Sequence, residues 1–539
     1  MNTSTAAALL ALALLAPDAG AGETRYHQHI RKAKGSSGAV RPVAATCFGG
    51  PGVEEFIAAG IAADGSVVVV GNAWGPAFPH VDGLSVIGTD RHTGAPPYER
   101  DGKKLNAASP DCSAFVVRYA PGLGAIRGAV RMGWGNASAS HATIAPDGTV
   151  YLSGRCTEAF RAALGTKAEV VPPPDGKGKG ADLYLAALPP SGGGPAWAKI
   201  FEKAEEASNA AERHVGCPPG VRAIRRGDGA LVLVAHGRLY ALDLGTQRLR
   251  EIAPTRGGVL HAVGPDGSAY LGGDENSRTN KEPWRKPFLY KVDRAGQVAW
   301  EVWRWNAKLV GSDAKKLESD SSVRHVGFQP GGTMVVAGWS DGGNSVFSRQ
   351  PTDLDAEVKY GGFIDSLWGA GVGTFSRLMR LEGDPPRLLD GTIWCAFLTD
   401  KNKPNSAAID TMAVLEDGRV AIGGGTSFAL VETPDAWAKA FPEGTGGACL
   451  AIFSADLKDL LFSTVLPAAE RRVAVACSGT RLVLACRAKA PEGGDGLKPL
   501  LVKPLQDKVA GEWDGYVVLA ETKAKADDPA TAPGAPAVR

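Results

Sequence analysis

Apolar positions along the chain fall into short alternating runs, each broken by a turn and closed on glycine. The clearest run is His141 to Gly154, HATIAPDGTVYLSG. An Asp-Gly pair between two alternating apolar segments predicts a β-hairpin, because its tight turn needs φ > 0 where glycine adopts it freely. The phrase returns as GIAADGSVVVVGNAW (Gly60 to Trp74), HAVGPDGSAYLGGDE (His261 to Glu275), HVGFQPGGTMVVAGW (His325 to Trp339) and MAVLEDGRVAIGGG (Met412 to Gly425). A hairpin recurring along a chain predicts an array of similar units.

Extending each hairpin by the next two alternating segments gives four-stranded units. The first takes Phe56 to Ala62, Ser66 to Gly71, Ser113 to Tyr119 and Ala125 to Arg131. The second runs from Ala139 to Phe201, the third from Val221 to Ile252, and the fourth from Val259 to about Trp305. The fifth spans Ser322 to Phe397 and the sixth Ile409 to Thr464. The seventh offers only Arg471 to Cys477, Arg481 to Cys486 and Asp514 to Ala520. It lacks an outer strand, while Val40 to Cys47 alternates like a strand with no unit of its own. Joining the two completes the seventh unit and leaves no open sheet edge. The expected fold is all-β: a single β-propeller of seven four-stranded blades over residues 39–520, closed by its N-terminal strand.

The pattern resembles the SBBP-type β-propeller repeats of exported bacterial proteins. The residues that carry the resemblance are Cys47-Phe48-Gly49-Gly50 ahead of Gly60-Ile61-Ala62-Ala63-Asp64-Gly65, and Asp111-Cys112-Ser113-Ala114-Phe115-Val116-Val117-Arg118-Tyr119. The latter is echoed by Asp514-Gly515-Tyr516-Val517-Val518-Leu519. Blades three and seven depart, with Gly227-Asp228-Gly229 and Ser478-Gly479 in place of the usual turn. The resemblance implies a fold and export, and it carries no catalytic residues.

Export is also expected from residues 1–21, an apolar core from Ala6 to Ala16 followed by the small-x-small site Ala19-Gly20-Ala21, although the leading MNTST has no Lys or Arg. Residues 22–38 read as a flexible lead-in and 521–539 as a Pro/Ala-rich disordered tail. The expected place is therefore secreted, periplasmic or in the cell envelope. Nowhere does an apolar run approach the ~20 residues of a membrane helix. With 59 basic and 57 acidic residues no global field favours nucleic acid. The eight cysteines (47, 112, 156, 217, 395, 449, 477, 486) form no CxxC pair. They read as buried small hydrophobes with room for one or two bridges.

Strand alternation puts the Asp-Gly turns at one end of the array and the long connections at the other, which marks the latter as the working end. Counting back six residues from each turn's Asp position reaches the central channel at His141, Arg222, His325 and Arg472, with His261 beside Leu260. Such a ring of imidazole and guanidinium suits ordinary polar lining, an anion or, if the imidazoles converge, a metal. Trp74 and Trp339, just past closing glycines, are candidate aromatic platforms, or packing beneath the insertions. Asp274-Glu275 and Asp341-Gly342-Gly343-Asn344 lack the spacing of a calcium loop. HExxH, P-loop, GxSxG and zinc-deaminase signatures are absent. No cofactor is expected. The function expected is binding or scaffolding of a glycan, peptide or protein outside the cell. The alternative is a lyase, lactonase or glycosidase whose scattered residues leave no motif.

Overall fold

The computed structural model describes residues 40–74, 78–79, 81–88, 112–133, 137–204, 221–276, 284–304, 317–367, 373–398, 403–438, 447–466, 469, 472–489, 499–511 and 513–523. The expected export signal and lead-in lie outside them, as does the expected tail from 524 on; its first residues, Glu521 and Thr522, instead complete a strand. What is described is nearly all β, in many small sheets. No helix among these residues is long and apolar enough to cross a membrane.

The strands pair into antiparallel four-strand runs, numbered here along the chain. Run one is Val53–Ile61, Val67–Trp74, Cys112–Tyr119 and Ile126–Met132. Run two is His141–Ile144, Val150–Cys156, Asp182–Leu188 and Trp197–Phe201. Run three is Arg222–Arg225, Ala230–Ala235, Arg238–Asp243 and Leu249–Pro254. Run four is Val259–Val263, Ala269–Asn276, Arg285–Val292 and Val298–Val302. Run five is Ser321–Phe328, Met334–Ser340, Phe375–Glu382 and Arg387–Trp394. Run six is Ala407–Val414, Val420–Thr426, Gly447–Phe453 and Leu460–Leu466. Run seven has Ala474–Ser478, Arg481–Lys489 and Trp513–Thr522, and its fourth strand is Val40–Phe48 from the other end of the described chain.

The hairpin turns form as the Asp-Gly pairs dictate. Gly65 and Gly148 take φ of 80° and 83°, where a Cβ would be strained. In four of these turns the aspartate carboxylate accepts the amide two residues on: Asp64 from Ser66, Asp147 from Thr149, Asp266 from Ser268 and Asp417 from Arg419. That local bond competes with any extended alternative and holds the reversal in place.

The apolar clusters lie between neighbouring runs rather than within one. Val68, Val116 and Ile200 join runs one and two, and Leu185, Leu231 and Leu242 join two and three. The cluster that matters most for closure joins the two ends of the chain. It packs Ala44, Val483, Val517 and Leu519 of run seven against Phe56, Val69 and Phe115 of run one. The first strands of successive runs also pack side by side, and that of run seven returns to that of run one. A parallel bridge between Val53 and Trp513 links the two sheets across the same seam.

The amino-terminal joint sits as expected, with Thr46 opposite Val517 and a register shift between Pro42 and Ala44. Details differ. Run two starts its ladder at His141 rather than Ala139. The first strand of run seven starts at Ala474, because Arg472 just before it takes φ of 78°. The outer strand of run four stops at Val302, where Trp303 turns to φ 59° and buries its ring against Phe347. Trp305 lies outside the described residues. Free thiols are found at all seven described cysteines, buried except for half-buried Cys477, so the expected room for bridges is unused there.

Candidate functional site

In every run but the first, where Val53 bridges Trp513, the first strand is the edge of its sheet, and several first strands carry a β-bulge. The register shifts between Phe56 and Ala58, Leu260 and Ala262, Val323 and His325, and Ile409 and Thr411. The extra residues are Ile57, His261, Arg324 and Asp410. A bulge leaves its extra residue out of the ladder and re-aims the side chain. His325 is thus the fifth of eight residues in its strand, midway along it rather than at its start.

The structure brings Arg222, His261 and His325 together, with Arg324 added. His261 is 8% exposed, and neither of its ring nitrogens has a hydrogen-bond partner, although the Gly272 carbonyl lies close enough to favour its charged form. Burial, then the charges of Arg222, His325 and Arg324, hold its pKa well below the ordinary imidazole range. His325 is half-buried. Its Nε2 is also without a partner. Burial and the guanidiniums of Arg222 and Arg324 push it down to about 3, against a small upward effect of the Ile409 carbonyl. Both imidazoles are therefore neutral at pH 7, in a field made by arginine. Half-exposed Arg222 makes no ion pair among the described residues.

Trp339 serves this group in a different way from the one expected. The guanidiniums of Arg285 and Arg324 each lie 5.6 Å from its ring centre, so it orders cations rather than offering an open platform. Trp74 is a correction. At 1% exposure it packs with Val53, Cys112 and Trp513, and is out of reach of any ligand. His141 is half-buried at the start of run two and is not among the groups acting on the two imidazoles.

Arg472 belongs to a second cluster, at the seam of runs seven and one. Its guanidinium donates to Glu55 at 3.1 Å, with Arg487 3.6 Å away on the other carboxylate oxygen. The backbone amides of Arg472 and Val473 donate to Asp410. Next to Glu55, buried Glu54 is raised to about 8 by burial; the Gly50 amide opposes this and the charge of Asp514 adds to it. Asp514, itself raised by burial, accepts from the Ala510 and Gly511 amides and from the Gln506 side chain. A Cβ on Gly49 would fall on the Asp514 carboxylate, and one on Gly511 on the Gly50 and Gly52 carbonyls. Spacing from the turns finds Arg472 alone, and its partner Glu55 lies far off in the chain.

No group of three His, Cys, Asp or Glu side chains able to hold a metal occurs among the described residues. Comparison with known proteins adds little. No family model matches the chain, and no curated protein does. Among solved structures it is similar to a protein of unknown function from Dyadobacter fermentans (TM-score 0.37, 11% identity, 90% of this chain and 100% of that one). It is also similar to an ulvan lyase (0.37, 10%, 86% and 95%) and to the phage phi92 endosialidase (0.36, 7%, 92% and 71%). At these scores the likenesses assign neither a fold nor an activity.

Proposed function

We propose that the chain is a seven-bladed β-propeller of exported type, closed by its N-terminal strand, which binds a ligand at the end carrying its long connections. The observation behind this reading is the asymmetry of the two ends. The first-to-second turns are short throughout, as at 62–66, 145–149, 264–268 and 415–419, and so are third-to-fourth turns such as 244–248 and 293–297. Second-to-third connections at the opposite end span 75–111, 157–181, 341–374, 427–446 and 490–512; run three, joined by His236-Gly237 alone, is the exception. Long segments on one end of a rigid array supply variable surface without disturbing the sheets. Export rests on the pattern of residues 1–21, and the SBBP resemblance on the motifs around Asp64 and Asp514.

The test is retention of soluble polysaccharides, neutral and acidic, and of peptides on the immobilised full chain, with products followed in the eluate. Retention without turnover is the expected result. Release of shortened or unsaturated saccharide would replace this reading with the lyase or glycosidase one, and retention of nothing would overturn both.

A further inference from the structure

We propose that Arg222, His261 and His325, carried by the first strands of runs three, four and five, form a binding site for an oxyanion, a carboxylate or a sulfate, inside the ring. This deepens the binding reading by naming the chemistry of the ligand, and it rests on that reading only for the ring itself.

Three observations converge. The first is placement. The first strands of runs three, four and five pack side by side in that order. Bulges on the second and third of them turn His261 and Arg324 out of the ladder, and Arg222 opens the strand of run three. The second is unmet hydrogen bonding. Both nitrogens of His261 and Nε2 of His325 are buried without a partner, whereas buried polar atoms in folded proteins are almost always paired. A neutral imidazole has one N–H to give and an imidazolium has two, so once protonated the two rings and the Arg222 guanidinium are a set of donors on three adjacent strands. The third is charge. The groups acting on the imidazoles are Arg222 and Arg324, both cationic. An oxyanion beside them would accept from Arg222 and from the imidazolium N–H groups, and would offset the positive charge of Arg222 and Arg324 felt by the two rings.

Asp410, on the adjoining strand of run six, accepts from the Arg472 and Val473 amides. Trp339 keeps Arg324 and Arg285 stacked beside the site. The charged groups around the imidazoles are then Arg222 from run three, Arg324 from run five and Asp410 from run six. Adding a negative charge among them favours the imidazolium forms, so binding takes up protons and tightens as pH falls.

The experiment is calorimetry and NMR on the full chain with inorganic sulfate and with acetate, at about pH 7.5 and about pH 5.5. An unsulfated uronic-acid oligosaccharide and a sulfated neutral one follow as further probes. The expected result is binding that is about tenfold tighter at the lower pH, with shifts of the His261 and His325 ring resonances. R222A should weaken it about tenfold or more with an unchanged melting curve, while R127A, at an exposed turn, should leave it intact. Binding of free sulfate or acetate identifies a free anion as sufficient, and binding of the oligosaccharides alone identifies a saccharide-borne group; both support the site. If none of the four probes moves the ring resonances, or if R222A binds as the parent does, the site is overturned. Retention of neutral glycans or peptides with neither effect would leave the binding reading standing and remove this inference alone.

Discussion

Two clusters of charge border the same ring and are built in opposite ways. In the arc of runs three to five, Arg222 and Arg324 surround two imidazoles that burial keeps neutral, and the polar atoms of those imidazoles are unmet. At the seam of runs seven and one, the charge of Glu55 is paired with Arg472 and Arg487, although its second oxygen accepts no hydrogen bond, and Asp514 accepts from two backbone amides and Gln506. A buried group that is satisfied by its own chain stabilises the fold, and one left unsatisfied is a cost that a ligand can remove. The seam therefore reads as structure and the arc as a place for something else.

The strongest way to break this contrast is to remove a seam carboxylate. Asp514→Ala would leave three donors without their acceptor in a fully buried spot and should cost about 3 kcal/mol or more, read from the urea midpoint. The same truncation of Arg222, half-exposed and without an ion pair among the described residues, should change stability by less than about 0.5 kcal/mol. Equal losses for the two would erase the distinction.

The second prediction uses pH, because the two clusters titrate in opposite senses. Glu54 holds its proton up to about pH 8 when folded but loses it near 4.5 when unfolded. Between those values the folded chain binds more protons, so stability falls as pH rises. His325 runs the other way, since the unfolded imidazole takes a proton near 6.5 and the folded one only near 3. Its contribution is present above 6.5 and is lost as pH drops towards 3. Each group contributes a slope of up to about 1.4 kcal/mol per pH unit. Urea midpoints across this window should form a dome, with Glu54→Gln removing the fall between about 4.5 and about 8 and leaving the rise up to 6.5.

Two smaller effects sharpen the picture. Arg222→Ala should raise the His325 titration from about 3 towards the ordinary imidazole range, seen by NMR. An unmoved titration would mean that burial alone holds the imidazole neutral. Arg41→Ala removes an ion pair whose side chains are 72% and 41% exposed, and its expected cost is below about 0.5 kcal/mol.

What could be read from the sequence follows from the range of the forces involved. The Asp-Gly hairpins are local, set by a glycine φ and an aspartate two residues from the amide it accepts, so they stand out in the chain. The joint of Val40–Phe48 with Trp513–Thr522 was legible by elimination, as a strand without a sheet beside a sheet short of a strand. The arc was half legible. Spacing from the turns finds Arg222 and His325, but a bulge moves His261 into line and adds Arg324, and no spacing rule foretells a bulge. Trp74 misled because a tryptophan after a closing glycine looks the same in sequence whether it faces solvent or, as here, Trp513. Of the seam only Arg472 could be read, since Glu54 and Glu55 meet Asp514 and Arg472 only once the two ends of the chain have paired.

That closure is what every argument above depends on, and a cross-link tests it directly. Arg41 and Glu521 lie opposite each other, exposed, on the paired terminal strands, while the described native cysteines are buried or half-buried. In the double variant Arg41→Cys/Glu521→Cys, mild oxidation of the folded monomer should give an intramolecular disulfide, identified by peptide mass spectrometry. Two thiols that stay free, or that link only between molecules, would show that the ends do not meet and that the ring is open.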